Sequence, residues 1–207
     1  PEYLTYVMWA ITPEGRAKNL GEVILNGNRS KLNVTTEFQA FGLVVTAEPY
    51  FAVAQPSNVV VMENFVFPDT LGKIEQVNAK YELLERGEYT VNVPPSELKP
   101  LQLDQKTPLD IYQARNALRI AQWAGAAESA RDTYQRAQQL LEQAEANRER
   151  KRGYRDITMP AREAVQTAED ARLIALRRQA EARAEREREA ASAREAEARA
   201  RAEEARQ

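Results

Sequence analysis

The last 31 residues, "RRQAEARAEREREAASAREAEARARAEEARQ" from 177 to 207, hold no Leu, Ile, Val, Met or aromatic side chain. A segment with nothing apolar larger than alanine cannot anchor itself in a hydrophobic core, because alanine buries too little area. Yet Ala, Glu, Arg and Gln are good intrinsic helix formers. The i,i+4 pairs Glu195/Arg199 and Glu197/Arg201 add about 0.2 to 0.5 kcal/mol each. This composition favours a helix that stands in water. At 1.5 Å per residue it would reach about 46 Å, so its physical use is reach. Disorder is the competing reading, and weak pairing along Ala184, Ala191, Ala198 and Ala205, which recur every seven residues, is a third.

What precedes this segment is uneven in composition. Residues 1–100 carry 8 Lys+Arg against 12 Asp+Glu and are rich in Val, Phe, Tyr and Leu; residues 101–207 carry 21 against 19 and are dominated by Ala, Glu, Arg and Gln. The chain therefore reads as two modules of different architecture, long enough together for two cores. A net charge of −2, with Arg interleaved by Glu, argues against a nucleic-acid partner. No stretch approaches the roughly 20 apolar residues of a membrane span. The start at Pro1, without an initiator Met or signal-like segment, reads as a processed or trimmed product.

Residues 1–93 predict an immunoglobulin-like β-sandwich. "YLTYVMWAIT" (3–12) is dense in strand formers and is closed by Pro13-Glu14-Gly15. "LGEVIL", "KLNVTT", "QAFGLVVTAEP", "NVVVMENFVF", "VNAKYELL" and "EYTVNV" follow at the spacing of sandwich strands. Val77, Ala79, Tyr81 and Leu83 alternate with polar residues, as on a half-exposed strand, whereas Leu43-Val44-Val45 is continuous, as on a strand covered on both sides. Trp9, Phe41, Val45 and Phe65 are the candidate core.

Tyr6 to Trp9 ("YVMW"), Gly15, Leu20-Gly21 and Phe41 to Pro49 ("FGLVVTAEP") resemble the extracytoplasmic β-domain of anti-sigma-K-type factors. The likeness covers about the first 50 residues and departs at "YFAVAQPSN". It implies a shared sandwich and carries over no sigma-factor control.

Residues 94–108, rich in proline, read as a semi-rigid linker. A helical hairpin is expected over 109–152, with Thr107 as N-cap, Pro108 at the first helical position and Asp110 near the positive helix end. Its stripes are Ile111, Ala114, Leu118 and Ala121, then, after a Gly125 turn, Ala130, Tyr134, Ala137, Leu141 and Ala144 from about Glu128. "ALRIAQWAGAAESARDTYQRAQQLLEQA" also resembles a tetratricopeptide-type hairpin, though one without a second copy. "RERKRGYR" (148–155) is a basic cluster whose ordinary reading is a solvated helix end; the alternative is a contact with an anionic membrane or polyanion. A long Ala/Arg/Glu-rich helix, spacer or coiled coil, is expected over 158–207, starting near Met159-Pro160. Ala161, Ala164, Ala168, Ala171 and Ala175 form its seam for helix packing or self-association, with the hairpin as first partner and a second subunit as alternative. The fold class is thus α+β in separate modules: an N-terminal immunoglobulin-like β-sandwich, then a helical hairpin and a long C-terminal helix.

The sequence offers little chemistry. Without His or Cys, no His-based triad, thiolate nucleophile, imidazole or thiolate metal site can be built, and no phosphate or calcium loop is present. Neither a cofactor nor a metal is expected, and no catalytic residue is assigned. Glu37, Glu48 and Glu63 lie in or near strands and read as edge or turn carboxylates, with a carboxylate-dependent enzyme as the remote alternative.

The order of "VMWAITPEGRAKNLGE", "FGLVVTAEPYFAVAQPS", an Ala-rich hairpin and an Arg/Glu/Ala helix resembles bacterial, acidobacterial-type cell-envelope proteins associated with the outer-membrane-protein-A family. The resemblance implies a non-enzymatic periplasmic spacer, with or without an anchor in the outer membrane, that presents its β-sandwich to a protein partner or another copy. Peptidoglycan would be bound only through a domain beyond Gln207. A self-assembling surface filament or adhesin is the alternative.

Overall fold

The computed structural model describes residues 2–65, 68, 89, 93 and 101–205. Four strands, β1 (Thr5–Ile11), β2 (Ala17–Glu22), β3 (Gly42–Glu48) and β4 (Val60–Glu63), form one antiparallel sheet in the order β2-β1-β3-β4. The β1–β2 hairpin turns on Pro13-Glu14-Gly15. The Thr12 N–H donates to the Arg16 carbonyl and the Gly15 N–H to the Thr12 carbonyl, both at 2.9 Å, with Gly15 at a φ of 86°. This short loop starts β2 at Ala17 rather than at Leu20, and Ile24 and Leu25 are left exposed.

Cross-strand pairs put Thr5, Val7, Trp9 and Ile11 of β1 on one face with Val44, Thr46 and Glu48 of β3. That face is buried; Val7 and Trp9 have no exposed surface. Ala10 and Val45, on the opposite face, are buried too, so the two inner strands are covered on both sides near the middle of the sheet. Phe41 and Phe65, expected in the core, are exposed instead, at 41% and 76%. Phe41 precedes the first residue of β3 and Phe65 follows the last of β4, so neither is on the buried face. "KLNVTT" is not a strand: Leu32 lies over Gly21 as the segment crosses β2 without a ladder. The expected strands at 77–84 and 88–93, apart from Tyr89 and Val93, and linker residues 94–100 lie outside the described residues.

The helices are α1 (Leu109–Trp123), the single turn α2 (Ala126–Ser129), α3 (Arg131–Glu149) and α4 (Tyr154–Glu204). Arg162 meets Asp110 and Gln179 meets Ala124, so α1 runs parallel to α4; Arg178 meets Ser129 and Asn147 meets Asp156, so α3 runs antiparallel. Thr107 does not cap α1. Its hydroxyl donates to Asp104 at 2.6 Å, and Pro108 occupies the cap position itself. Asp104 also accepts the N–H groups of Lys106 and Thr107 and the Tyr112 hydroxyl, which turns the chain into α1.

α4 starts four residues before the expected 158, at Tyr154, and runs unbroken for 51 residues through Pro160. A proline there removes the N–H that would bond the Asp156 carbonyl. The side-chain amide of Asn147 donates to that carbonyl at 2.7 Å and takes the missing place. Ala161, Ala164, Ala168, Ala171 and Ala175 have no exposed surface and belong to the same apolar cluster as Ile111, Ala114, Leu118 and Ala121 of α1 and Tyr134, Ala137, Leu140 and Ala144 of α3. The cluster continues through Tyr50 and Val53 to Val7, Trp9 and Ile11. Sheet and helices therefore share one core.

Candidate functional site

The junction between the two modules is made by the loop from Pro49 to Ser57, a stretch of "PYFAVAQPS" with few backbone partners of its own. Side chains from four elements satisfy it. From β2, Asn19 donates to the carbonyls of Phe51 and Val53, both at 2.9 Å; from α1, Gln113 accepts the Phe51 N–H at 2.8 Å. From β3, Glu48 accepts the Ser57 N–H at 2.7 Å. From α4, Glu169 accepts the Ala54 N–H at 3.1 Å and the Tyr50 hydroxyl at 2.6 Å.

Glu169 is paired within its own helix with Arg172, whose Nε and Nη2 donate at 2.7 and 2.8 Å. A bidentate pair with extra donors is the arrangement that makes a buried ion pair tolerable. Burial alone would lower the Arg172 guanidinium, but the Glu169 carboxylate outweighs it and holds the group more firmly protonated than usual. Burial and the neighbouring Glu169 charge push the Tyr50 hydroxyl well above its ordinary range, so it stays a donor.

A second knot lies beside the first. Arg162 of α4 donates to Glu22 of β2 at 2.6 Å and to Asp110 of α1 at 3.0 Å, while its guanidinium lies 4.0 Å from the Phe51 ring centroid. Glu22 also accepts from Thr5 at 2.6 Å and Gln113 at 2.8 Å. Burial acts to raise Glu22, but these bonds and the Arg162 charge leave it below the ordinary carboxylate range. A third contact ties Glu2 to Arg119 at 2.9 Å, with Asn116 donating to the Glu2 carbonyl at 3.0 Å.

Away from the junction, α4 changes character. Beyond Ala175 no residue of the helix is buried, and its last anchors are Arg178 on the Ser129 carbonyl and Gln179 on the Ala124 carbonyl. In the exposed half, Glu195 pairs with Arg199 and Glu197 with Arg201. At the other end of α4, an open cavity of about 410 Å³ lies between Gln143, Asn147, Arg152, Arg155 and Pro160. Within the basic cluster, Arg148 reaches Asp104 at 3.7 Å, and Arg150, Arg152 and Arg155 are exposed to solvent.

The three carboxylates singled out from sequence do not converge as a set. Glu37 pairs with Lys18 at the surface, and Glu63 is exposed on β4. Glu48 is no edge carboxylate: it sits on an inner strand with no exposed surface. Among the described residues no group of three or more Asp or Glu side chains could hold a metal ion.

Asn19, Glu22, Gln113, Arg162, Glu169 and Arg172 escaped sequence reasoning and Glu48 was given the wrong setting, though two signals pointed to the junction. Arg172 lies four residues after Ala168 and three before Ala175, inside the alanine seam, where a free charge could not stay. Glu48 follows Val44 and Thr46 at the strand period of two, on the buried face. Comparison with protein families, with curated proteins and with solved structures finds no match.

Proposed function

We propose that this chain is a non-enzymatic spacer of the bacterial cell envelope, in which a β-module, completed as an immunoglobulin-like sandwich, is held at a set angle on a long helix. The observation that carries this reading is the asymmetry of α4. One half is embedded in the bundle and clamped to the sheet, and the other, from 177 to 204, is continuous helix with no buried residue. A helix of 51 residues spans about 76 Å. The resemblance to envelope proteins associated with the outer-membrane-protein-A family supports a periplasmic location, with a peptidoglycan-binding domain following the helix and the sheet offered to a protein partner.

Small-angle scattering tests this reading. A compact domain of 207 residues has a radius of gyration of about 17 Å. The spacer predicts a clearly larger value and a maximum dimension above about 76 Å; a compact particle overturns it. A self-assembling surface protein is the second reading, favoured by β4, the outer strand of the described sheet, which leaves Val61 and Met62 exposed. Light scattering separates the two, since a filament grows with concentration and a spacer holds a discrete mass.

A further inference from the structure

We propose that Glu48 is a proton-controlled latch on the 49–57 loop, holding the sheet seated on the helices while its carboxyl is protonated and loosening that seat when it ionises. The geometry is that of a carboxyl with no solvent and half a set of partners. Its side chain is fully buried, and Oε1 accepts the Ser57 N–H at 2.7 Å and the Thr46 hydroxyl. Oε2 is buried with no hydrogen-bond partner among the described residues. An ionised carboxylate needs donors on both oxygens, whereas a neutral acid is far cheaper to leave half-satisfied.

Among the described residues, the titratable and charged groups around it include one cation, and that one is already paired. Tyr89 shares its electrostatic surroundings with Glu48, Glu169, Arg172 and Tyr3, and the same loop carries Tyr50. Arg172 is the one positive charge in that set, and its Nε and Nη2 both donate to Glu169. Burial, partly offset by the Ser57 and Thr46 bonds, pushes the Glu48 carboxyl up to about 7.

The position makes titration consequential. Glu48 ends β3, and its Oε1 closes the 49–57 loop on Ser57; between those points Tyr50 and Ala54 reach Glu169, and the Phe51 N–H reaches Gln113. A carboxyl raised from 4.5 in the unfolded chain to about 7 in the folded one stabilises the fold fully below pH 4.5. That contribution is lost progressively as pH rises to about 7 and stays lost above it. Trp9 reports the change, because its indole N–H donates at 2.8 Å to the Thr46 oxygen that itself bonds Glu48.

The test uses the full chain carrying Trp123→Phe, so that Trp9 is the sole indole, with and without Glu48→Gln. Expected is a folded-state fluorescence titration with a midpoint near pH 7. The unfolding equilibrium constant should rise at least about tenfold from pH 5 to pH 8.5, and both changes should be absent in Glu48→Gln. The same titration and the same rise in Glu48→Gln would overturn the proposal. Should that variant fail to fold, infrared spectroscopy of the wild-type chain decides. A protonated-carboxyl band present at pH 6 and gone by pH 8.5 supports the latch, and its absence at pH 6 refutes it.

Discussion

Gln179 closes over the backbone of Gly125: its Nε2 donates to the Ala124 carbonyl at 2.9 Å and lies 2.8 Å from where a Cβ on Gly125 would stand. Gly125 has a φ of 77°, a conformation L side chains rarely adopt. Gly125→Ala should therefore cost about 1 to 3 kcal/mol, through backbone strain and displacement of the Gln179 amide. Gln179→Ala alone should cost about 0.5 to 1.5 kcal/mol. The double variant should cost less than the sum, as urea unfolding of all four chains would show.

The substitution of a side-chain amide for a backbone N–H at Pro160 predicts a specific coupling. Asn147→Ala leaves the Asp156 carbonyl without its donor and should destabilise by about 0.5 to 1 kcal/mol. In a Pro160→Ala background the helix regains its own N–H, and Asn147→Ala should become close to neutral. Equal costs in both backgrounds would mean that Asn147 acts elsewhere.

At the junction, Glu169→Gln removes the charge that balances a buried Arg172 while keeping the shape. The expected loss is about 3 to 5 kcal/mol, because Arg172 is left buried without its counter-ion and Tyr50 and Ala54 lose a strong acceptor. Amide exchange should quicken first in the 49–57 loop. An exchange pattern changed only along α4 would show that the clamp does not reach the sheet.

A chain ending at Ala180 should unfold within about 0.5 kcal/mol of the full-length protein, since no described residue beyond Ala175 is buried. Its far-ultraviolet helical signal should fall by close to half of the α4 contribution. A large drop in melting temperature would instead show that the exposed half pairs with something in solution.

Asp104 predicts an acid-side pH dependence. Its carboxylate accepts from Thr107, Lys106 and Tyr112, and these bonds, led by the Thr107 hydroxyl, hold it down to about 2. A depressed carboxyl stabilises the fold above its unfolded value near 3.8, and the contribution is lost as pH falls through about 2. Asp104→Asn should flatten the dependence of stability on pH between those values and, at neutral pH, bring stability down towards the level the wild-type chain has in acid.

Local pattern made much of the architecture legible. The three-four recurrence of Ala161 to Ala175 marks the face that α4 buries, and the density of strand formers around Trp9 marks an inner strand. What pattern could not supply was long-range pairing. Tyr50 and Glu169 are 119 residues apart, and nothing in "PYFAVAQPS" announces a loop whose backbone is satisfied by β2, α1 and α4. Proline misled for a related reason: Pro160 reads as a helix start because its local cost is visible, whereas the compensating amide of Asn147 comes from the preceding helix.

The shaft beyond the bundle carries eight arginines and eight glutamates between 177 and 205. Side chains three or four residues apart lie about 5 to 6 Å from one another, inside the Debye length of about 8 Å at physiological ionic strength. The alternating signs cancel before their field leaves the surface. Such a rod carries little net potential along its length, so its long-range electrostatic pull on either acidic or basic polymers is weak, and raising the salt concentration changes that pull little.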